Sequence, residues 1–234
     1  MALMIEARPL AETLAGVPFF SGLDSASLER VGRGLRTRRF RRGEVIFHLG
    51  DPGDALFIVM SGAIKIMLPS DAGDEAILAT LRPGDVFGEL ALLDGAPHSA
   101  GATAVEPVET MSLARVPFQN LIEADRGLRT ALLSGLAAEL RRLTRQVEEL
   151  HFLDLAGRLA MRLVRLARDR DPSANGEVHL DWPFTQSDLA AMIGGTRQSV
   201  NKLLSQLVQD GLLLIEHDTL VIHDLHALAE RAER

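Results

Sequence analysis

The stretch from Thr185 to Gly211, TQSDLAAMIGGTRQSVNKLLSQLVQDG, carries the signals of two short helices joined by a tight turn. Thr185 and Asp188 have the spacing of a capping box, with Asp in place of the usual Glu or Gln. The glycines at 194–195 break the first helix, and Thr196 is a good N-cap for the second. This arrangement predicts a helix-turn-helix motif. The residues expected on the buried stripe of the second helix are Val200, Leu203, Leu204, Leu207 and Val208.

The other face of the second helix is polar and carries no acidic side chain between Thr196 and Gln209. In the major groove, Arg and Lys suit guanine, whereas Gln and Asn suit adenine. The polar residues lie at the N-terminal end, where recognition helices meet bases. The alternative is an ordinary solvated helix face. We predict a DNA-reading surface formed by Thr196, Arg197, Gln198, Ser199, Asn201 and Lys202.

Two short apolar runs follow the motif. Leu212–Ile215 and Leu220–Ile222 are predicted strands on either side of a turn at residues 216–219, which makes the motif a winged variant. Before the motif, Leu155–Arg168 has the apolar spacing of a helix, and residues 171–176 form a predicted loop.

A heptad pattern occupies residues 126 to 153. Its apolar positions are Leu133, Leu136, Leu140, Leu143, Val147 and Leu150. Charged residues flank these positions, which favours a coiled-coil contact with an identical helix. The alternative is a single amphipathic helix that lies on its own domain.

Residues 38 to about 117 contain short apolar runs separated by turn signals. The predicted strands are Val45–Phe47, Ala55–Met60, Ile64–Leu68 and Glu75–Ala79. Short strands at this spacing are typical of an antiparallel sandwich or barrel.

The composition excludes several classes of protein. The chain has 234 residues and no cysteine, which excludes disulfides, thiol catalysis, and zinc or iron–sulfur centres ligated by cysteine. No apolar run approaches the ~18 residues of a membrane span. The N-terminal region carries Glu6 and lacks the early basic cluster of a secretory signal. We therefore expect a cytoplasmic protein. The net charge of −7 requires any nucleic-acid contact to come from a local basic surface.

Three segments, in this order, resemble the catabolite-activator (CRP/FNR) family of transcription regulators. Gly88–Leu93 followed by Ser99-Ala100 is similar to that family's phosphate-binding cassette, Phe152–Ala160 to its hinge, and Gly195–Leu204 to its recognition helix. The resemblance covers nearly the full length. It implies an α+β fold with an N-terminal jelly-roll-like β-roll, a long dimerisation helix and a C-terminal winged helix-turn-helix. The expected domains are 1–125 (with an N-terminal helix), 126–153 and 154–234.

The cassette also has a physical logic of its own, because Gly88 permits a tight entry to a short helix at Glu89–Leu92 whose free N–H groups can bind an anion. Together with the resemblance, this predicts the effector-binding residues Gly88, Glu89, Leu90, Ala91, His98, Ser99 and Thr144. Members that bind cyclic AMP have an arginine where this chain has His98. Because His is largely neutral near pH 7, this difference argues against cyclic AMP. At position 198 this chain has glutamine where the family often has glutamate, which changes the DNA base that the helix prefers.

We therefore predict a homodimeric transcription regulator, activator or repressor, that binds a near-palindromic duplex DNA operator. A cyclic nucleotide is the candidate effector, RNA polymerase is a partner if the protein activates, and neither a metal nor a membrane is expected. One alternative is a regulator of this family that needs no small molecule. The other is a cupin-like metal-dependent enzyme, although the β region offers only His48 and His98 as histidine ligands.

Overall fold

The computed structural model describes residues 14–20, 23–70, 73–171, 173–181, 184–216 and 219–232. The chain forms two compact units, Met1–Leu68 with Ala79–Leu140, and Pro69–Leu78 with Arg141–Arg234. The segment Pro69–Leu78 clusters with the second unit because the Leu78 carbonyl accepts hydrogen bonds from Arg142 Nη1 at 2.7 Å and Gln146 Nε2 at 2.8 Å. The expected division at residues 125 and 153 stays a prediction.

Within the described residues, the first half of the chain contains eight strands, three complete α-helices and a short helical segment at residues 14–15. In chain order these are a 3-10 helix (Pro18–Phe20), α1 (Ser25–Gly34), β1 (Leu35–Phe40), β2 (Val45–Phe47), β3 (Ala55–Ser61), β4 (Ile64–Pro69), β5 (Glu75–Leu81), β6 (Val86–Phe87), α2 (Glu89–Asp94), β7 (Gly101–Ala104), β8 (Val108–Ala114) and α3 (Arg115–Ala124). The strands form two four-stranded sheets, in the orders β1-β8-β3-β6 and β2-β7-β4-β5.

Strand β3 shows how the sequence builds this roll. Leu56 and Ile58 point into a core that includes Phe118 and Leu128 from the helices. Phe57 and Val59 point into a second core with residues of the other sheet. Because successive side chains of a strand face opposite sides, a continuous apolar run is what a strand buried on both faces requires. The expected β-roll is confirmed.

The four predicted strands are confirmed as β2 to β5, whereas β1, β6, β7 and β8 were not predicted. Two of them lack the composition of a strand: β1 reads LRTRRF and β7 reads GATA. Strand β1 forms because it pairs antiparallel with β8, in a register that places Arg39 opposite Glu109. The Arg39 Nε atom lies 2.7 Å from Glu109 Oε2.

The second half contains α4 (Arg126–Phe152), α5 (Leu155–Arg170), β9 (Val178–Asp181), α6 (Gln186–Ile193), α7 (Arg197–Gln209), β10 (Leu213–Glu216), β11 (Thr219–Ile222) and α8 (Leu225–Ala232). The helices predicted over the heptad region and over 155–168 are confirmed as α4 and α5. Among the described residues, no helix has both the length and the apolar composition of a membrane span.

The winged helix-turn-helix is confirmed in the second unit. The Thr185 hydroxyl accepts from the Asp188 N–H at 3.1 Å, and the Asp188 carboxylate accepts from the Thr185 N–H at 2.9 Å, so the capping box is complete. Strands β10 and β11 pair antiparallel, and β9 adds the third strand of this sheet. Residues 217–218 of the predicted turn lie outside the described residues.

One expectation about the buried stripe of α7 is wrong. Val200, Leu204 and Leu207 are buried and Leu203 is half-buried, but Val208 is 38% exposed. Val208 lies about 80° around the helix from Val200, at the edge of the buried stripe, and it belongs to the last turn of α7, which ends at Gln209.

Candidate effector and DNA-binding sites

The entry to the cassette is set by Gly88, which follows β6 and has a φ of +81°. A Cβ atom at this position would lie 3.1 Å from the Ala55 carbonyl oxygen and 3.4 Å from Phe57. Because glycine adopts this backbone conformation without strain, Gly88 can serve as the N-cap of α2, whereas a larger residue would be strained there. The backbone N–H groups at the start of a helix lack i−4 carbonyl partners, and those of α2 are the groups for which an anion contact is predicted.

Glu89, the first residue of α2, is half-buried. Burial raises the pKa of its carboxyl group, and the nearby carboxylate of Glu139 raises this pKa further. A carboxyl group with partial desolvation forms strong hydrogen bonds to neutral hydroxyl donors, because fewer water molecules compete for its oxygens. This environment suits Glu89 to accept hydrogen bonds from the hydroxyl groups of a ligand.

His98 is buried, with 7% of its surface exposed. Its ring stacks on Phe47, with the ring centroids 3.7 Å apart and the planes 5° from parallel. The backbone N–H of His98 donates to the Asp51 carbonyl at 2.9 Å. Burial lowers the pKa of the His98 imidazole, although the carboxylates of Asp51 and Asp54 oppose this shift. Burial therefore favours the neutral form of this side chain.

The remaining predicted effector residues differ in exposure. Leu90 and Ser99 are exposed and Ala91 is buried. The His98 Cε1 atom lies 3.6 Å from the position that a Cβ atom of Gly88 would occupy, so His98 and the cassette entry are close neighbours. Thr144 is exposed on α4 and belongs to the second unit. The effector role of all seven residues stays a prediction.

Two contributors to this region were not predicted. Phe47 is the stacking partner of His98, and Arg115 donates to the carbonyl oxygens of Gly53 and Ala91. No local signal marks either residue, because Phe47 belongs to an ordinary apolar strand and Arg115 follows another strand directly. Across the residues that the structure describes, no three His, Cys, Asp or Glu side chains are grouped as a metal site.

The predicted DNA-reading surface lies at the first turns of α7. Arg197, Gln198 and Lys202 are exposed. The Thr196 hydroxyl accepts from the Ser199 N–H at 3.1 Å, and the two hydroxyl oxygens lie 2.9 Å apart. Thr196 and Ser199 thus fix the start of the helix, while the longer side chains remain available to a ligand.

Asn201 differs from its predicted neighbours. It is half-buried, and within the described part of the chain its buried Oδ1 atom has no hydrogen-bond partner. Reading adenine requires both the oxygen and the nitrogen of the amide group. In this conformation the oxygen is turned away from solvent, so Asn201 does not offer the two-point contact.

The heptad positions of α4 divide into two groups. Leu136 is half-buried and packs, like the buried Leu128 and Leu132, against the core of the first unit. The other heptad residues are exposed: Leu133 (66%), Leu140 (66%), Leu143 (37%), Val147 (54%) and Leu150 (57%). We refer to these five exposed residues as the α4 seam. Exposed apolar side chains at heptad spacing along one helix are typical of a protein interface.

A β-roll with a phosphate-type cassette, followed by a winged helix-turn-helix, defines a class of DNA-binding transcription regulators. Two family matches agree with this class. Residues 37–125 match the cyclic nucleotide-binding domain, and residues 157–231 match the Crp-like helix-turn-helix domain.

Individual relatives give the same result. The chain is 32% identical to the CRP-like cAMP-activated global transcriptional regulator of Mycobacterium tuberculosis, over 94% of this chain and 99% of the relative. It is 29% identical to the global nitrogen regulator of Synechocystis, over 82% of this chain and 86% of the relative. The solved structure of the c-di-GMP responsive global regulator CLP of Xanthomonas campestris matches with a TM-score of 0.73 and 25% identity, over 86% of this chain and 99% of that chain.

The chain therefore belongs to the CRP/FNR family of transcription regulators. The family and the relatives are transcription regulators and not enzymes, so the comparisons do not favour the cupin-like enzyme alternative.

Proposed function

We propose that this regulator acts as a homodimer that reads a near-palindromic DNA operator, and that a small molecule bound at the β-roll controls its activity. The α4 seam carries the proposal. Five apolar side chains at heptad spacing are exposed on one helix, and a two-fold partner with the same helix would cover all of them. A two-fold symmetric protein requires an operator of matching symmetry.

The contacts to DNA would come from Arg197, Gln198 and Lys202, which are exposed at the N-terminal turns of α7. The two half-sites would lie about 34 Å apart, one turn of the double helix. Because the chain carries a net charge of −7, sequence-independent attraction to phosphates is weak, and base contacts must supply much of the affinity. We also propose that the protein is located in the cytoplasm and that, if it activates transcription, it contacts RNA polymerase.

The effector would bind at the cassette, where α2 offers backbone N–H groups and Glu89 offers a carboxyl group. The names of the relatives above mention different effectors, cyclic AMP and cyclic di-GMP. Membership of the family therefore does not identify the effector of this chain. Cyclic AMP fits less well, because the family arginine is replaced by a neutral, buried His98. The same observation favours a second candidate, a regulator of this family that binds DNA without a small molecule.

Two measurements on the full chain test the proposal. A binding selection from random duplex DNA should enrich an inverted repeat with half-sites about one helical turn apart, and Arg197→Ala should enrich the same repeat with a relaxed preference at one base pair of each half-site. Thermal shift with cyclic mononucleotides, cyclic dinucleotides and 2-oxoglutarate should identify a stabilising ligand. Selected sequences without symmetry would contradict the dimeric operator, and a melting temperature unchanged by every ligand would favour the second candidate.

A further inference from the structure

Arg115 joins three parts of the first unit that are distant in sequence. It is the first residue of α3, and its side chain is half-buried. Its Nη2 atom donates to the carbonyl oxygen of Gly53 at 2.5 Å and to that of Ala91 at 3.1 Å. Its backbone N–H donates to the carbonyl oxygen of Asp54 at 2.8 Å. One residue thus holds the loop before β3, the cassette helix α2 and the start of α3.

The loop and α2 are in direct contact where Arg115 connects them. A Cβ atom added at Gly53 would lie 2.2 Å from the Ala91 Cβ atom and 3.4 Å from the Ala91 Cα atom. This distance is far below van der Waals contact, so a larger residue at position 53 would displace α2. The glycine and Arg115 act together, because the first lets α2 approach the loop and the second bonds it there.

A helix as short as α2 depends on such an external bond. It has six residues, and the last four carbonyl groups of a helix have no partner within it. Ala91 is one of these four, and a guanidinium at the carboxyl end of a helix also interacts favourably with the helix dipole. A hydrogen bond from a charged donor is stronger than one from a neutral donor.

We propose that Arg115 is the positioning residue of the effector cassette, which holds Gly88–Ala91 in the orientation that receives the effector. The inference rests on the proposed function, because it assumes that the effector binds at this segment. The cassette itself, from Gly88 to Ala100, contains no Lys or Arg. A cation that bonds to the cassette must therefore come from another part of the fold, and Arg115 is such a cation, acting through backbone carbonyls.

The test compares Arg115→Met with Arg115→Lys, which keeps the charge. Arg39→Met is the matched control, because Arg39 forms an exposed ion pair with Glu109 on a different part of the roll. Hydrogen exchange should be about tenfold faster or more at the amides of α2 in Arg115→Met, the range expected for the loss of charge-assisted bonds, with the amides of β3 unchanged. Arg115→Lys should restore part of the protection, and Arg39→Met should behave as wild type.

Gly53→Ala provides an independent variant with Arg115 intact. Because the added methyl group collides with Ala91, α2 should lose protection here as well. The second measurement is calorimetry with cyclic AMP and with cyclic di-GMP as probes. For a probe that wild type binds, Arg115→Met should bind about tenfold more weakly or worse, and Arg115→Lys should recover part of the affinity.

The outcomes separate the two proposals. Exchange at α2 unchanged by Arg115→Met, or raised equally in α2 and β3, overturns the positioning role and leaves Arg115 as a general contributor to stability. Faster exchange with unchanged probe affinity also overturns it. If wild type binds neither probe, the proposed effector class fails. The comparison of hydrogen exchange in Arg115→Met, Arg115→Lys and Arg39→Met still decides whether Arg115 positions α2.

Discussion

Replacing Leu140 with alanine should weaken the proposed dimer strongly, and the structure sets the magnitude. Leu140 is 66% exposed in the single chain. Full burial of a leucine side chain contributes about 1.5–3 kcal/mol, so covering the exposed two thirds contributes about 1–2 kcal/mol. Two-fold symmetry uses the residue twice and gives about 2–4 kcal/mol per dimer. Since 1.4 kcal/mol corresponds to a tenfold change, the dissociation constant should rise by roughly 30- to 700-fold. Alanine retains one methyl group, which places the expected value toward the lower end.

Sedimentation equilibrium from nanomolar to micromolar concentration measures this change. Val116→Ala is the control, because Val116 is 64% exposed on α3 and lies outside the α4 seam. Circular dichroism checks that both variants keep their helix content. If Leu140→Ala and Val116→Ala dimerise as tightly as wild type, the seam is not the dimer interface and the reasoning from exposure is wrong.

Three further expectations concern single side chains. Arg197→Ala should reduce affinity for the selected operator by about 1–3 kcal/mol and relax the preference at one base pair, as measured by fluorescence anisotropy on single-substituted operators. Asn201→Ala should cost less than Arg197→Ala in the same assay, because the Asn201 amide oxygen is buried; an equal loss would show that the side chain turns outward on DNA. Burial lowers the pKa of His98 in the folded state below its unfolded value of about 6.5. The unfolded state therefore binds more protons between these two pKa values. The stability that is present above pH ~6.5 is lost as the pH falls through the folded pKa. Urea denaturation at pH 7.5 and 5.5 should therefore show a smaller loss of stability in His98→Phe than in wild type; equal losses would exclude His98 as the cause.

The helical half of the fold was largely predictable from sequence, because its signals are local. The capping box at Thr185 and Asp188, the cap at Thr196 and the heptads of α4 each act over a few residues, and the helices formed where these signals predicted them. The missed strands depend on distant partners. Strand β1 forms against β8, about 70 residues away, and its three arginines and one threonine give no apolar alternation to recognise.

The candidate sites divide along the same line. The exposure of Arg197, Gln198 and Lys202 follows from the period of one helix, so sequence alone was sufficient for these residues. Asn201 could not be assigned in this way, since its burial depends on the packing around α7. The same holds for Arg115, whose acceptors Gly53 and Ala91 come from two other segments.

His98 shows why the residue type at an aligned position does not fix its role. From sequence, the change from arginine to histidine is a loss of charge at a site that still faces the ligand. In the structure, the ring fills space against Phe47, 51 residues earlier in the chain, and its burial keeps it neutral. An effector at this cassette would meet backbone N–H groups, the Ser99 hydroxyl and a Glu89 carboxyl whose pKa is raised by burial. Such a site would hold an anion through dipoles rather than through a cationic side chain of its own. Its selectivity must then depend more on the shape and hydroxyl pattern of the ligand than on the ligand's charge.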